Sequence, residues 1–366
     1  MTRRLLKNFL LSFVGALVFA VAMSLFPAAT ATTTFYYAVT EINPLSGYPH
    51  TFPRDINDLG QVIGVSKTFN SGDSPQSAFL WQDGTIIGLG TLGGDQSRAI
   101  DINNTGQVVG WSLTSSGLDH AFLWQNGTMI DLGTHGNDTC SFAFGINDNG
   151  QVVGRSHQAS QYRCSVNDTF HAVLWQNGSV TDLGTLPEDN FSEAYNINNS
   201  GQIFGWSGWS SGSLPQDPHI FMWQDSTMAD LGNLAPPGII YAINNEGQVV
   251  GLYQNNSSNN YSAFLWQNGA FTDLDNLGGT QSEAYDINEA GTVVGYSSIS
   301  IENPYNIHAF IWRNGTMSDL NNFLLPNSGW ELNTATGINN NGQIVGVGKF
   351  NGQSKAFLLT PVTVSS

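Results

Sequence analysis

Carboxylates, imidazoles and indoles recurring at fixed offsets are the side chains of this sequence with the means to do chemistry. Asp131, Asp182, Asp230, Asp273 and Asp319 each stand directly before a leucine. Paired carboxylates within about 5–10 Å can hydrolyse a glycosidic bond. These acids come once per repeat, on what reads as the outermost strand of each unit, so they are spread around a rim and suit turn hydrogen bonding. His120, His171, His219 and His308 share the position before another strand. A ring of imidazoles would bind metal only if the atoms met around one ion, and equivalent atoms of separate units lie too far apart. Each is expected to hydrogen-bond an adjacent loop. The runs starting at Asp55 and Asp101 have the look of calcium loops but lack the late bidentate glutamate. No Ser-His-Asp triad, metal-ligand spacing or cofactor motif can be picked out. The sequence therefore offers no catalytic residue, no metal site and no cofactor.

Cys140 and Cys164 are the two cysteines of the chain and fall on the same repeat. In an oxidising compartment they are disulfide candidates, and closing that loop is worth about 3 kcal/mol on a chain-entropy estimate.

Of ten tryptophans, Trp81, Trp124, Trp175, Trp223, Trp266 and Trp312 occupy one repeat position in mid-strand. Large aromatics there are expected to pack between units. Trp111, Trp206 and Trp209 lie where the repeat gives way to variable sequence, and Trp330 in a crossing segment before the last unit. Because the repeat does not demand them, Trp111, Trp206 and Trp209 are candidate ligand contacts. Tyr253 and Tyr296, where the fifth and sixth variable loops begin, join them.

The elements that must position these residues are seven copies of one pattern. Ile56-Asn57 followed by Gly60-Gln61-Val62-Ile63-Gly64 recurs from Ile102, Ile146, Ile197, Ile243, Ile287 and Ile338, at steps of 44 to 51 residues. A second segment, typified by Ala121-Phe122-Leu123-Trp124-Gln125-Asn126-Gly127, follows each copy, and a third such as Met129 to Leu132 follows that. Asn-x-x-Gly and Asn-Gly are turn signals that separate short strands, four to a unit. No sustained helical period follows the first segment of the chain, so the fold class is all-β. Seven units of this length read as a seven-bladed β-propeller of four-stranded antiparallel blades.

With the repeat laid out, His120 to Thr134 and Ile102 to Ser112 resemble the HAF repeat of bacterial extracellular proteins. That resemblance implies export and a propeller-like array, and transfers no activity or catalytic residue. Ile220-Phe221-Met222 in one unit and Leu359-Thr360 in the last depart from the pattern.

The phase of the repeat at its ends predicts closure. Phe35 to Thr40 occupies a fourth-strand position and Lys355 to Leu359 a third, so the N-terminal strand can complete the last blade and hide the sheet edges. Residues 32–366 then form one domain. Residues 1–31 read as a signal peptide: a basic head at Arg3, Arg4 and Lys7, an apolar run from Phe9 to Phe26, and Ala29-Thr30-Ala31 for cleavage. A retained membrane anchor is the alternative. Cleavage removes three bases and no acid, leaving eight bases against 28 acids and a net charge near −20. Nucleic acid and anionic lipid drop out as default partners, and no stable membrane insertion is expected after cleavage. The protein is expected to be secreted, extracellular or periplasmic, and monomeric.

Loops between second and third strands differ in every unit, whereas the Asn-x-x-Gly and Asn-Gly turns barely change. The variable loops should share one face of the ring, and variation on one face of a repeat array is how a constant scaffold presents a specific surface. The function expected is that of an exported non-enzymatic binding or scaffold propeller recognising an extracellular glycan or protein. A polysaccharide-active hydrolase or lyase on the same fold is the alternative.

Overall fold

The computed structural model describes residues 33–68, 75–159, 164, 169–209, 216–232, 238–255 and 260–365. The segment read as a signal peptide and parts of several variable loops lie outside these residues. Seven separate four-stranded antiparallel sheets make up the molecule, with one short 3₁₀ turn at Leu320–Phe323. Each of the first six blades runs in chain order from an inner strand against the central channel to an outer strand at the rim. Blade 1, for example, is His50–Ile56, Val62–Lys67, Gln76–Gln82 and Thr85–Gly88. The fourth strand of blade 7 is Thr33–Ile42, paired antiparallel with Gln353–Ser365 from Thr33 opposite Ser365 to Ile42 opposite Ala356. The ring is therefore closed by the N-terminal strand, as the repeat phase predicts.

The repeat motif encodes the joints between blades. Asn57 accepts the amides of Leu59 and Gln61 on its Oδ1 at 3.1 and 3.0 Å, which folds the Asn-x-x-Gly turn. Its Nδ2 donates to Gln61 Oε1 and, 3.0 Å away in the next blade, to the Asn103 carbonyl. The same inter-blade bond leads from Asn103 to Asn147, then to Asn198, Asn244, Asn288 and Asn339. Asn339 returns it to Asn57. The strand glutamines extend the network, since Gln61 Nε2 donates to Gln82 of the third strand at 3.1 Å. The glycine that ends Gln-Val-Val-Gly has a steric reason. A Cβ on Gly154 would overlap the Phe142 carbonyl oxygen, because the inner strand bulges towards it between Ala143 and Gly145.

Between blades lie apolar layers. Phe79, Phe122, Phe221, Phe264, Phe310 and Phe357 are fully buried at one repeat position. The six repeat tryptophans pack into the same layers as expected, Trp81, Trp124 and Trp175 buried and Trp223, Trp266 and Trp312 at the edge.

The histidines differ from expectation. They reach the rim aspartate of their own blade rather than a loop: His120 to Asp131 at 2.8 Å, His171 to Asp182 at 2.8 Å, His219 to Asp230 at 3.1 Å and His308 to Asp319 at 2.7 Å. The aspartates also fold the turn that follows, as Asp131 does by accepting the Gly133 amide. Each clamp ties the start of the third strand to the end of the fourth, and those ends meet because the two strands are paired antiparallel.

Candidate functional site

Every inner strand carries a bulge just before its repeat isoleucine. A bulge re-aims side chains, and here the residues one and two places before the isoleucine both line the central channel. Three cavities follow one another along it, of about 160, 60 and 510 Å³.

At the Asn-turn end sit Asp55, Asp101 and Asp286. Each carboxylate accepts the amide of the next blade's repeat isoleucine, at 3.3 Å from Ile102, 2.7 Å from Ile146 and 2.7 Å from Ile338. Burial, reinforced by the Asp55 carboxylate, pushes both Asp101 and Asp286 well above the usual carboxylate range. The next layer holds Arg54, Tyr195, Tyr241 and Tyr285. Burial, with Glu193 or Glu283 close by, raises all three phenols, so they remain protonated donors.

Towards the variable-loop face come Arg98, Glu193 and Glu283, four places before the isoleucine of their blades. Opposite them on the second strands stand Trp111, Trp206 and Tyr296, paired in register with Arg98, Glu193 and Glu283 respectively. Arg155 takes the equivalent place in blade 3, opposite Phe142. Glu193 is fully engaged: it pairs with Arg155 at 2.9 Å, accepts Trp206 Nε1 at 3.0 Å and accepts the Tyr195 hydroxyl. The Arg155 guanidinium lies over Phe170 and Phe142 at 4.6 and 4.7 Å. In blade 6, Glu283 accepts Tyr296 Oη at 2.7 Å and Tyr241 Oη at 3.3 Å.

Three of the five candidate aromatics thus share one register position around the channel. Trp111 and Trp206 lie within strands Val108–Thr114 and Ile203–Trp209, half-buried, not in loops. Trp209 ends its strand and is 49% exposed. Tyr253 is away from the channel, 8% exposed, with its hydroxyl donating to Asp273 at 2.7 Å. Blade 5 has Ser262 at the histidine position, and Tyr253, paired with Ser262 across the sheet, supplies the clamp instead. Trp330 belongs to the inner strand of blade 7 and packs on Phe350 and Phe357.

Cys140 and Cys164 are joined in a disulfide. With His157 they form the only group among the described residues whose potential ligand atoms converge, within 4.8 Å. The sulfur–sulfur bond leaves no thiolate there to hold a metal.

Sequence reading did not single out Arg54, Arg98, Arg155, Glu193 or Glu283. A signal was available: the positions two and four before each repeat isoleucine change from copy to copy inside an otherwise constant frame.

Fold and channel define a class, the seven-bladed propeller with its polar groups turned into the ring. Within that class the chain belongs to the family of DUF3466 proteins, described as proteins of unknown function, whose family model matches residues 139–358. No curated protein matches it in sequence. Among solved structures it is similar to a puromycin-hydrolysing peptidase of Mycobacterium tuberculosis, with 12% identity and a TM-score of 0.54. The match covers 89% of this chain and 54% of that one. An acylaminoacyl peptidase of Pyrococcus horikoshii matches with 9% identity and a TM-score of 0.53, again over 89% and 54%. The chain spans about half the length of either peptidase. Likeness at this identity is one of fold.

Proposed function

We propose that this is an exported, HAF-like binding propeller without catalytic activity, which takes an extracellular glycan at the variable-loop mouth of its central channel. One observation carries the reading. In a frame whose inter-blade positions are nearly constant, the cross-strand pair facing the channel mouth is a different one in every blade, and these pairs include Arg98 with Trp111, Glu193 with Trp206 and Glu283 with Tyr296. Aromatic faces beside convergent polar groups suit sugar rings. The Cys140–Cys164 disulfide agrees with an oxidising destination, and no helix among the described residues is long and apolar enough to cross a membrane. Titration of residues 32–366 with a panel of extracellular polysaccharides tests it: binding without depolymerisation is expected, weakened in W111A. An unchanged W111A affinity would move the site away from the mouth.

Glu193 and Glu283 near protonated tyrosines favour a second reading, a polysaccharide hydrolase or lyase. Against a lyase base stands the upward shift of every one of these phenols. Depolymerisation abolished in E283Q would select this reading over the first.

A further inference from the structure

We propose that Arg54 and Arg98 form an anion subsite that takes a carboxylate of the ligand, so that the glycan bound carries uronic-acid residues. The inference rests on the glycan reading above and adds the substrate class.

Cations are scarce in this chain, and most of those among the described residues have a partner, Lys67 lying over the Phe52 ring. Arg155 pairs with Glu193, Lys349 with Glu331 and Lys355 with Glu41. Arg313 lies over Phe35 and Phe323. Among the described residues, neither Arg54 nor Arg98 has a carboxylate within ion-pair distance, a side-chain hydrogen bond or an aromatic face, although the sequence holds 28 acids and Asp286 feels the Arg54 charge at longer range. Both line the same 510 Å³ cavity, across from Tyr241 and Tyr285. Burial, and then Arg54 itself, holds the Arg98 guanidinium below its usual value. Two like charges left facing one cavity lack the anion that would make the arrangement favourable.

The channel's own carboxylates are not that anion. Asp55, Asp101 and Asp286 hold backbone amides of the next blades, and Asp286 also accepts the amide of Ile287, so its attraction to Arg54 acts without an ion-pair contact. Glu283 is occupied by Tyr296 and Tyr241. Glu193 shows the contrast: where the channel is meant to neutralise a guanidinium internally, it places a carboxylate 2.9 Å from Arg155. Among the described residues no carboxylate stands that close to Arg54 or Arg98. Two guanidinium forks suit bidentate carboxylate recognition. A cavity of 510 Å³ falls in the usual small-ligand range of about 300–1,000 Å³. Phe52 and Tyr285 add aromatic faces for the sugar body.

The experiment is calorimetric titration of residues 32–366 with trigalacturonate, neutral galactotriose and trialanine, on wild type, R54Q and R98Q. Trigalacturonate is expected to bind most tightly, and either variant to weaken it by about tenfold or more, the usual worth of a charge-assisted contact. Galactotriose should be indifferent to both substitutions. Competition by sodium sulfate on the wild-type protein gives a readout independent of variant folding, and should weaken trigalacturonate alone. Galactotriose binding as tightly as trigalacturonate, or sulfate without effect, overturns the subsite and leaves the glycan reading standing. Arginine-dependent binding of trialanine alone supports the carboxylate subsite and overturns the glycan reading. Binding of none of the three overturns both.

Discussion

Asn339 of the last blade donates its Nδ2 hydrogen to the carbonyl oxygen of Asn57 in the first, 2.9 Å away and 282 residues distant in sequence. The bond is the same one that links every other pair of neighbouring blades, so the blade whose outer strand comes from the N-terminus is joined to blade 1 as the other six pairs are joined. Asn339 also accepts the amides of Asn341 and Gln343 and donates to Gln343 Oε1. Truncation leaves buried amides unpaired, each at about 1–3 kcal/mol. N339A is expected to lose about 2–4 kcal/mol in urea unfolding, and N147A, in mid-chain, the same to within about 1 kcal/mol. A much cheaper N339A would mean that the joint between blades 7 and 1 is weaker than the rest.

Removing residues through Ile42 takes away the outer strand of blade 7 and uncovers the edge of Gln353–Ser365. It also removes Tyr37 and Ile42, both buried in the layers flanking that blade. An exposed, long strand edge invites pairing with another copy. The truncated protein should associate or aggregate more than residues 32–366 do, as read by light scattering. A monomeric truncation with an unaltered urea midpoint would contradict the closure.

Histidine–aspartate clamps set a pH window. Hydrogen bonding to Asp319 raises the His308 imidazole above its ordinary value against the opposing effect of burial, and the same holds for His120 with Asp131 and His171 with Asp182. Burial works against Asp319, yet its bonds from His308 and Asn321 leave the carboxyl below its ordinary value. The imidazole contribution is complete below the unfolded value of 6.5 and fades as pH rises through the raised one. The carboxylate contribution is complete above 3.8 and fades as pH falls through the lowered one. Clamp stability is therefore greatest between those two values. Wild type should lose stability more steeply than H308Q above pH 6.5, measured by guanidinium unfolding across pH 5 to 9. Identical slopes would show the clamp to be electrostatically idle in water, as many partly exposed pairs are.

Much of the fold is legible in sequence because the repeat is a joint as well as a motif. Isoleucine, asparagine, glycine and glutamine recur because each blade must meet its neighbour in the same way, and the displaced phase of Phe35 to Thr40 betrays the closure. The site is less legible. Trp111 and Trp206 catch the eye as rare residues beside loops, but β-alternation alone does not tell which face of a strand they occupy. Bulges decide that, and a bulge such as that between Ala99 and Asp101 puts the successive residues Ile100 and Asp101 on the channel. Arg54 and Arg98 look like ordinary surface arginines until the ring is closed around them. Tyr253 misleads for the opposite reason: its place beside a variable loop suggests a ligand, while its partner is Asp273 in the same blade.

Trp206 and Trp209, three residues apart, should part company on substitution. Trp206 points inward, where its Nε1 donates to Tyr195 Oη at 2.8 Å and to Glu193 at 3.0 Å, and its ring packs on Phe191 at 5.7 Å. Losing it strips the Glu193–Arg155 pair of a donor and opens space beside Phe191, so W206A is expected to cost about 2–4 kcal/mol, somewhat less than the about 3–5 kcal/mol of a fully buried Trp. Trp209 ends the strand with half its surface in solvent. W209A should change stability by no more than about 0.5 kcal/mol, as surface substitutions do. W206F keeps one six-membered aromatic ring against Phe191 while losing the Nε1 donor and the rest of the indole, so it spares much of the packing and none of the hydrogen bonding. If the mouth binds sugar, W206F should weaken binding with little loss of melting temperature, whereas W209A should leave both nearly unchanged. Should W209A weaken binding and W206F not, the ligand lies on the outer loop surface rather than in the channel, and the site drawn around Trp111, Trp206 and Tyr296 is the wrong one.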